Sequence, residues 1–197
     1  HHQHQSVQLM IKAMHTKIDR DGQRELARVC QTDPRIRLID SILPREALLG
    51  LYGCCDALIS LHRAEGYGRV LAEAFLSGLD VIATNYSGPC DFSDGPLFHP
   101  VKFRERALLP SHYPHAHGQV WAEPDIAEAA HSLEKVASLR SETNSLNRQQ
   151  LSKIYKDRFS TERIGNLYKQ RLEEIWSNRH ALEANLRWCT QHGAIKI

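Results

Sequence analysis

Short apolar runs alternate with helix-forming stretches over the first 84 residues of this 197-residue chain, and that alternation allows few folds. Residues 7–14 are apolar enough for a buried strand, and 23–30 follow with helix formers and apolar positions at Leu26, Ala27 and Cys30. Residues 36–39 read as a second strand. Pro44 then opens a helix with Leu48, Leu49 and Leu51 on its buried side and Gly53 near its end. A third strand at 57–61 leads through a glycine-rich loop into a helix that stops at Ser77-Gly78, before a fourth strand at 81–84. Repeated strand–helix units predict an α/β fold, a parallel sheet with helices on both faces.

The third unit carries the chemistry. Glu65 to Glu73 read E-G-Y-G-R-V-L-A-E, with two carboxylates eight positions apart around a helix entrance. Gly66 and Gly68 let the backbone turn sharply and approach a ligand. The first helical turn offers unpaired N–H groups and a positive dipole end, which together suit a phosphate. After the fourth strand, Asn85-Tyr86-Ser87-Gly88-Pro89 is a turn-rich loop at a strand's carboxyl end, where open α/β sheets bind ligands.

Farther on, residues 97–101 read as one more strand and 102–118 as an irregular segment rich in His, Pro and Arg. Helices are expected from Asp125 to about Leu139, from Ser141 toward Tyr155, and from Thr161 toward Cys189 with Ser160 as N-cap. In the last of these, Ile164, Tyr168, Leu172, Ile175, Leu182 and Leu186 form one stripe, read as core unless part of it covers a partner domain.

Composition narrows the function. Forty-two percent apolar residues, 24% charged and a net charge of +2 describe a soluble globular protein without the basic excess of a nucleic-acid binder. No apolar run approaches the roughly 20 residues that span a bilayer, and residues 1–6 carry no apolar signal core. A cytoplasmic location is the expectation. The odd set Cys30, Cys54, Cys55, Cys90 and Cys189 contains no C-x-x-C pair and reads as buried, reduced thiols. His1, His2 and His4 suggest a tag or linker. His112, His115 and His117 lack acidic or thiol companions at ligand spacing, so an exposed polar loop is preferred to a metal site.

The run from Asp56 to Gly68, then Leu71-Ala72-Glu73-Ala74, Gly78, residues 81–84 and Tyr86-Ser87-Gly88 resemble the C-terminal donor-binding half of retaining GT-B glycosyltransferases, specifically the large family 4. Trp121 to Asp125 resembles a further block of rhamnan- and lipopolysaccharide-type members. The likeness spans most of the chain from Val7 to about Tyr168. It implies a Rossmann-like nucleotide-sugar-binding domain over 7–160, one half of a GT-B fold, with a helical extension over 161–197 after a tag or linker at 1–6. Glu65, the catalytic assignment, would contact hydroxyls of the donor sugar, and Glu73 would grip the ribose hydroxyls of the nucleotide. Amides at Gly68, Arg69 and Val70 would meet the pyrophosphate. Gly66, Tyr67 and the loop residues Tyr86, Ser87 and Gly88 would line the cleft, with Arg63 and Arg69 as local cations.

The implied reaction transfers a sugar from a UDP- or GDP-type donor to a glycan or lipid-linked acceptor with retention, by front-face displacement. It requires no separate cofactor, and the absence of a D-x-D pair leaves metal dependence unimplied. Leu79-Asp80 stands where the family commonly has a proline before the next strand. The chain carries neither an acceptor-binding half nor the first strand and phosphate loop of the donor half. It is therefore expected to be a fragment or truncated form that binds nucleotide weakly and transfers no sugar alone. A full enzyme of this kind would need the missing N-terminal half and is compatible with peripheral membrane association.

Simpler readings stand beside this one. Glu73 could pair with Arg69 on an exposed helix face, Glu65 could serve the helix dipole, and His62 could be a hydrogen-bonded strand-end group. Tyr86 and Ser87 are open between structure and binding. Tyr113 and Trp121 read as packing residues. The two alternatives for the whole chain are a non-catalytic α/β interaction module derived from a glycosyltransferase and a GT-B-like nucleotide-sugar epimerase.

Overall fold

A computed structural model describes residues 7–14, 20–112, 114–140 and 145–180, together with Glu183, Arg187 and Cys189. Residues 1–6, Tyr113, the helix start at Ser141, and Leu182 and Leu186 lie outside the described residues. The chain forms two compact units, His1–Ser145 and Leu146–Ile197.

The first unit is α/β, with parallel strands flanked by helices: β1 (Leu9–Ala13), α1 (Arg20–Thr32), β2 (Ile36–Asp40), α2 (Arg45–Cys54), β3 (Ala57–Ser60), α3 (Arg69–Leu76), β4 (Asp80–Thr84), β5 (Phe98–Val101), β6 (Phe103–Ala107), β7 (Val120–Pro124) and α4 (Ile126–Arg140). The parallel strands fall into two ladders rather than one continuous sheet. In the first, Leu9 of β1 faces Ile36 of β2; in the second, β4 lies between β3 and β5, with Leu58 opposite Val81 and Val81 opposite Phe98. Parallel neighbours cannot be joined by a tight turn; α1 and α3 supply the β1–β2 and β3–β4 crossovers, and residues 85–97 join β4 to β5.

The core gathers on β4, where Val81, Ile82 and Ala83 are fully buried. A central parallel strand covered on both faces carries a near-continuous apolar run. Ile82 packs in one cluster with Val101 of β5 and Ala129 and Val136 of α4. From α3, Leu71, Ala72, Ala74 and Phe75 are buried, and the Phe75 ring meets Phe92 and Phe98 edge-on at 6.4 and 6.3 Å. The α3 helix ends as expected at Ser77-Gly78. Gly78 adopts φ +74, and the amides of Gly78 and Leu79 return to the carbonyls of Phe75 and Ala74, a Schellman closure. Leu79 is thereby buried. Asp125 opens α4, its carboxylate accepting from the Glu128 amide at 3.0 Å.

Four expectations need correction. The strand at 7–14 is not buried: β1 has one paired neighbour, and Leu9 and Met10 are exposed. On α2, Tyr52 rather than the leucines is the buried residue, and Leu49 is exposed. The segment 102–118 is not irregular throughout, because β6 pairs antiparallel with β7, Phe103 facing Pro124 and Ala107 facing Val120. None of the cysteines is buried: Cys54 and Cys90 are exposed and the others half-buried, and none of the five is in a disulfide. Cys54 ends α2 and Cys90 sits in a one-turn helix after β4, both surface positions.

The second unit holds α5 (Ser145–Arg158) and α6 (Thr161–Ser177). Tyr155 and Ser152 of α5 are buried. Ser160 caps α6 as expected, its hydroxyl accepting from the Arg163 amide at 3.2 Å. The α6 stripe is not core: Ile164, Tyr168, Leu172 and Ile175 are exposed, and no residue of the helix is buried. Helical periodicity shows that a face is apolar, not that the same chain covers it.

Candidate functional site

The loops leaving the carboxyl ends of β3 and β4 lock together. The Ser87 hydroxyl donates to the Glu65 carbonyl at 2.7 Å. His62 Nε2 lies 3.1 Å from the Tyr86 carbonyl, and Nδ1 lies 3.3 Å from Ser60 Oγ. A carbonyl only accepts, so Nε2 carries the proton and the Ser60 hydroxyl donates to Nδ1. His62 is thus a structural tie between the loops, the simpler of its two readings.

Contact between the loops also sets which glycines matter. A Cβ on Gly88 would fall 1.5 Å from the Gly66 carbonyl oxygen, and one on Gly68, whose φ is +84, would fall 2.7 Å from Pro89 Cγ. Gly66 itself has open space around it and no left-handed backbone, so the contact between the two loops constrains Gly88 and not Gly66. Ser87 adopts φ 68 and ψ −157, a region nearly reserved for glycine that costs about 1–3 kcal/mol. Its bond to Glu65 helps hold it there.

Glu65 turns back on its own loop. Its Oε1 accepts from the amides of Gly66 at 2.9 Å and Gly68 at 3.3 Å, so a carboxylate already occupies the loop's N–H groups as an anion would. The Leu71 and Ala72 amides donate to the Gly68 carbonyl at 3.0 and 3.1 Å. The amides of Arg69 and Val70 begin α3, where no intrahelical acceptor precedes them. Tyr67 and Val70 present exposed side chains beside them, the Tyr67 ring resting 5.1 Å from Phe92.

Glu73 is gripped from α2. Arg45 Nη1 donates to its Oε1 at 2.7 Å, and the Tyr52 hydroxyl donates to its Oε2 at 3.3 Å. Arg69, one turn earlier on α3, stands at 3.6 Å, so the expected local pair exists but is the looser partner. The Glu73 side chain is only 13% exposed. Burial raises its pKa, and the Arg45 hydrogen bond and charge, the Tyr52 hydroxyl and Arg69 together overcome that, holding the carboxyl below its ordinary value. Burial and the Glu73 charge push the Tyr52 phenol up to about 12, so it remains a donor.

Arg63 is committed elsewhere. Its Nε and Nη2 bond the Glu123 carboxylate at 3.2 and 2.9 Å, its guanidinium lies 4.9 Å from the Trp121 ring centre, and its carbonyl accepts from the Ala122 amide. Arg106 of β6 also reaches Glu123, at 3.3 Å. The Arg63 hydrogen bond, against a smaller opposing effect of burial, keeps Glu123 below the usual carboxylate range. The His112 ring also stacks on Trp121, at 4.9 Å, and the Tyr86 ring meets Phe103 at 4.9 Å. The β6–β7 hairpin is therefore fastened to both site loops. His115 and His117 are exposed. Among the described residues no His, Cys, Asp or Glu cluster is placed to hold a metal, and no helix is long and apolar enough to cross a membrane.

Three of the pairings in this arrangement are not signalled by sequence spacing. Arg45 and Tyr52 stand 28 and 21 positions before Glu73, and Glu123 stands 60 after Arg63; only folding makes them neighbours.

Neither a protein-family model nor a curated protein matches the sequence. Among solved structures, a chain of the GtfA/B complex is similar to this one, with a TM-score of 0.58 and 20% sequence identity. The likeness is one of fold: a Rossmann-type α/β fold. It covers 88% of this chain and 30% of that one, so the chain spans less than a third of its neighbour's length.

Proposed function

We propose that this chain is the donor-binding half of a retaining glycosyltransferase of the family 4 kind, which holds a UDP- or GDP-linked sugar for transfer to a glycan or lipid-linked acceptor. The observation that carries the reading is the interlock of the β3 and β4 loops. It sets Glu65, the first amides of α3 and the partly buried Glu73 at the carboxyl edge of a parallel ladder. Carboxylates only accept, which suits the hydroxyls of a sugar and a ribose. The α3 amides and the Arg69 guanidinium suit the diphosphate between them, whose departure needs its growing charge stabilised. On ligand entry Glu65 releases the Gly66 and Gly68 amides to phosphate oxygens and turns to the sugar hydroxyls. Arg63, held by Glu123, shapes the loop rather than meeting phosphate.

The exposed α6 stripe favours a second protein body in the working enzyme, an acceptor-binding half or a separate subunit; the similar structure is itself titled as a complex. The same stripe is what favours the competing reading of a non-catalytic interaction module. Calorimetric titration of the full chain with UDP, GDP and their hexose conjugates separates the two. The donor-site reading expects saturable binding that Glu73→Ala weakens roughly tenfold or more, as loss of charge-assisted bonds to a diol requires. Absence of binding to every one of these ligands leaves the interaction module.

A further inference from the structure

Glu73 reaches the site already held by two donors from another helix, one on each carboxylate oxygen. We propose that Arg45 and Tyr52 are positioning residues that preset the Glu73 carboxylate for a vicinal diol and so make the site select a ribonucleotide over its 2′-deoxy counterpart. This rests on the donor-site reading and assigns its specificity.

A carboxylate offers about four acceptor positions, two on each oxygen. Arg45 takes one on Oε1 at 2.7 Å and Tyr52 takes one on Oε2 at 3.3 Å. Arg69 at 3.6 Å is beyond hydrogen-bond reach and takes none. One position therefore remains on each oxygen, and two adjacent hydroxyls are the donor pair that fills both together. Had both donors shared one oxygen, the open positions would have suited a single hydroxyl.

The grip also comes from outside α3. Tyr52 is 8% exposed and packed in place, so its hydroxyl approaches from a fixed side. Arg45 opens α2 and its side chain is 57% exposed, so it closes over Glu73 from solvent. Tying the carboxylate to a second helix removes rotation about its terminal bonds before the ligand arrives, which lowers the ordering cost of binding. Arg69, on the same helix as Glu73 and more exposed, supplies no such constraint.

The test is calorimetry on the full chain with UDP and GDP and, for each that binds, its 2′-deoxy form. The native chain is expected to favour the ribonucleotide by roughly tenfold or more, the worth of one charge-assisted hydrogen bond. In Arg45→Ala and in Tyr52→Phe that ratio falls at least threefold while affinity for the 2′-deoxy form stays within twofold; Arg45→Lys, which keeps a donor, retains part of the ratio. A merely structural role would weaken both forms in parallel, and that result overturns the proposal. So does an unchanged ratio in Arg45→Ala and Tyr52→Phe, or a ratio that survives Glu73→Gln; in each case measurable binding leaves the donor-site reading standing. A native chain that binds neither nucleotide overturns the proposal, and the donor-site reading with it when their hexose conjugates also fail to bind.

Discussion

Glu73 and Gly88 show how much of this site depends on single atoms. The Glu73 carboxyl is held below its ordinary pKa, so the ion contributes stability that is fully present above the unfolded-state value and is lost as pH falls through the lower folded value. Removing Arg45 leaves burial, the largest influence on Glu73, opposed only by Tyr52 and Arg69. Arg45→Ala is therefore expected to raise the Glu73 midpoint in a carbon-13 NMR titration of side-chain carboxyls, and an unmoved midpoint would show that Arg45 does not set its charge. At Gly88, a methyl group would collide with the Gly66 backbone. Gly88→Ala should cost about 2 kcal/mol or more in chemical denaturation, whereas Gly66→Ala, with open space around it, should stay within about 0.5 kcal/mol. Equal costs at the two positions would mean that the loops do not interlock as described. The sequence motif makes Gly66 and Gly68 look equivalent. The difference arises because a close approach is a relation between two loops 22 residues apart, which local spacing does not encode.

Elements divide in the same way. The third strand, the loop and α3 were readable from apolar spacing, glycines and the Ser77-Gly78 stop, because their causes lie within a few residues of each other. The β6–β7 hairpin was not, since its pairing aligns Phe103 with Pro124 across a His- and Pro-rich connection and its strands show no clean apolar alternation. Its role follows from what it is fastened to: Glu123 fixes Arg63, and the Ala122 amide bonds the Arg63 carbonyl. Glu123→Gln should therefore speed hydrogen exchange at the Ala122 amide roughly three- to tenfold while leaving the α3 amides of Ala74 and Phe75, both buried residues, protected. Uniform acceleration across both elements would indicate global loosening instead. Helix α6 begins where its cap and period place it but ends at Ser177 and not near Cys189, and its stripe, read as core unless part of it covers a partner domain, is exposed at Ile164, Tyr168, Leu172 and Ile175.

For the molecule as a whole, stability should follow the β4 core and not the apolar content of each helix. Phe75 is fully buried among Phe92 and Phe98, so Phe75→Ala should cost about 3–5 kcal/mol. Leu172→Gln on the exposed α6 stripe should cost less than about 0.5 kcal/mol in the same thermal or denaturant melts. Comparable losses would place the stripe inside a packed interior. The amino-acid order alone was enough for the α/β class, the strand–loop–helix carrying Glu65 and Glu73, and the caps at Ser160 and Gly78, because periodicity, capping and glycine conformation act over one or two turns of chain. Folding alone could join Arg45 and Tyr52 to Glu73, lock Gly88 against Gly66, tie Arg63 to Glu123 and leave the α6 stripe uncovered. Each of these depends on packing between segments tens of residues apart, where energies are set by which surfaces meet and not by the local pattern of either segment.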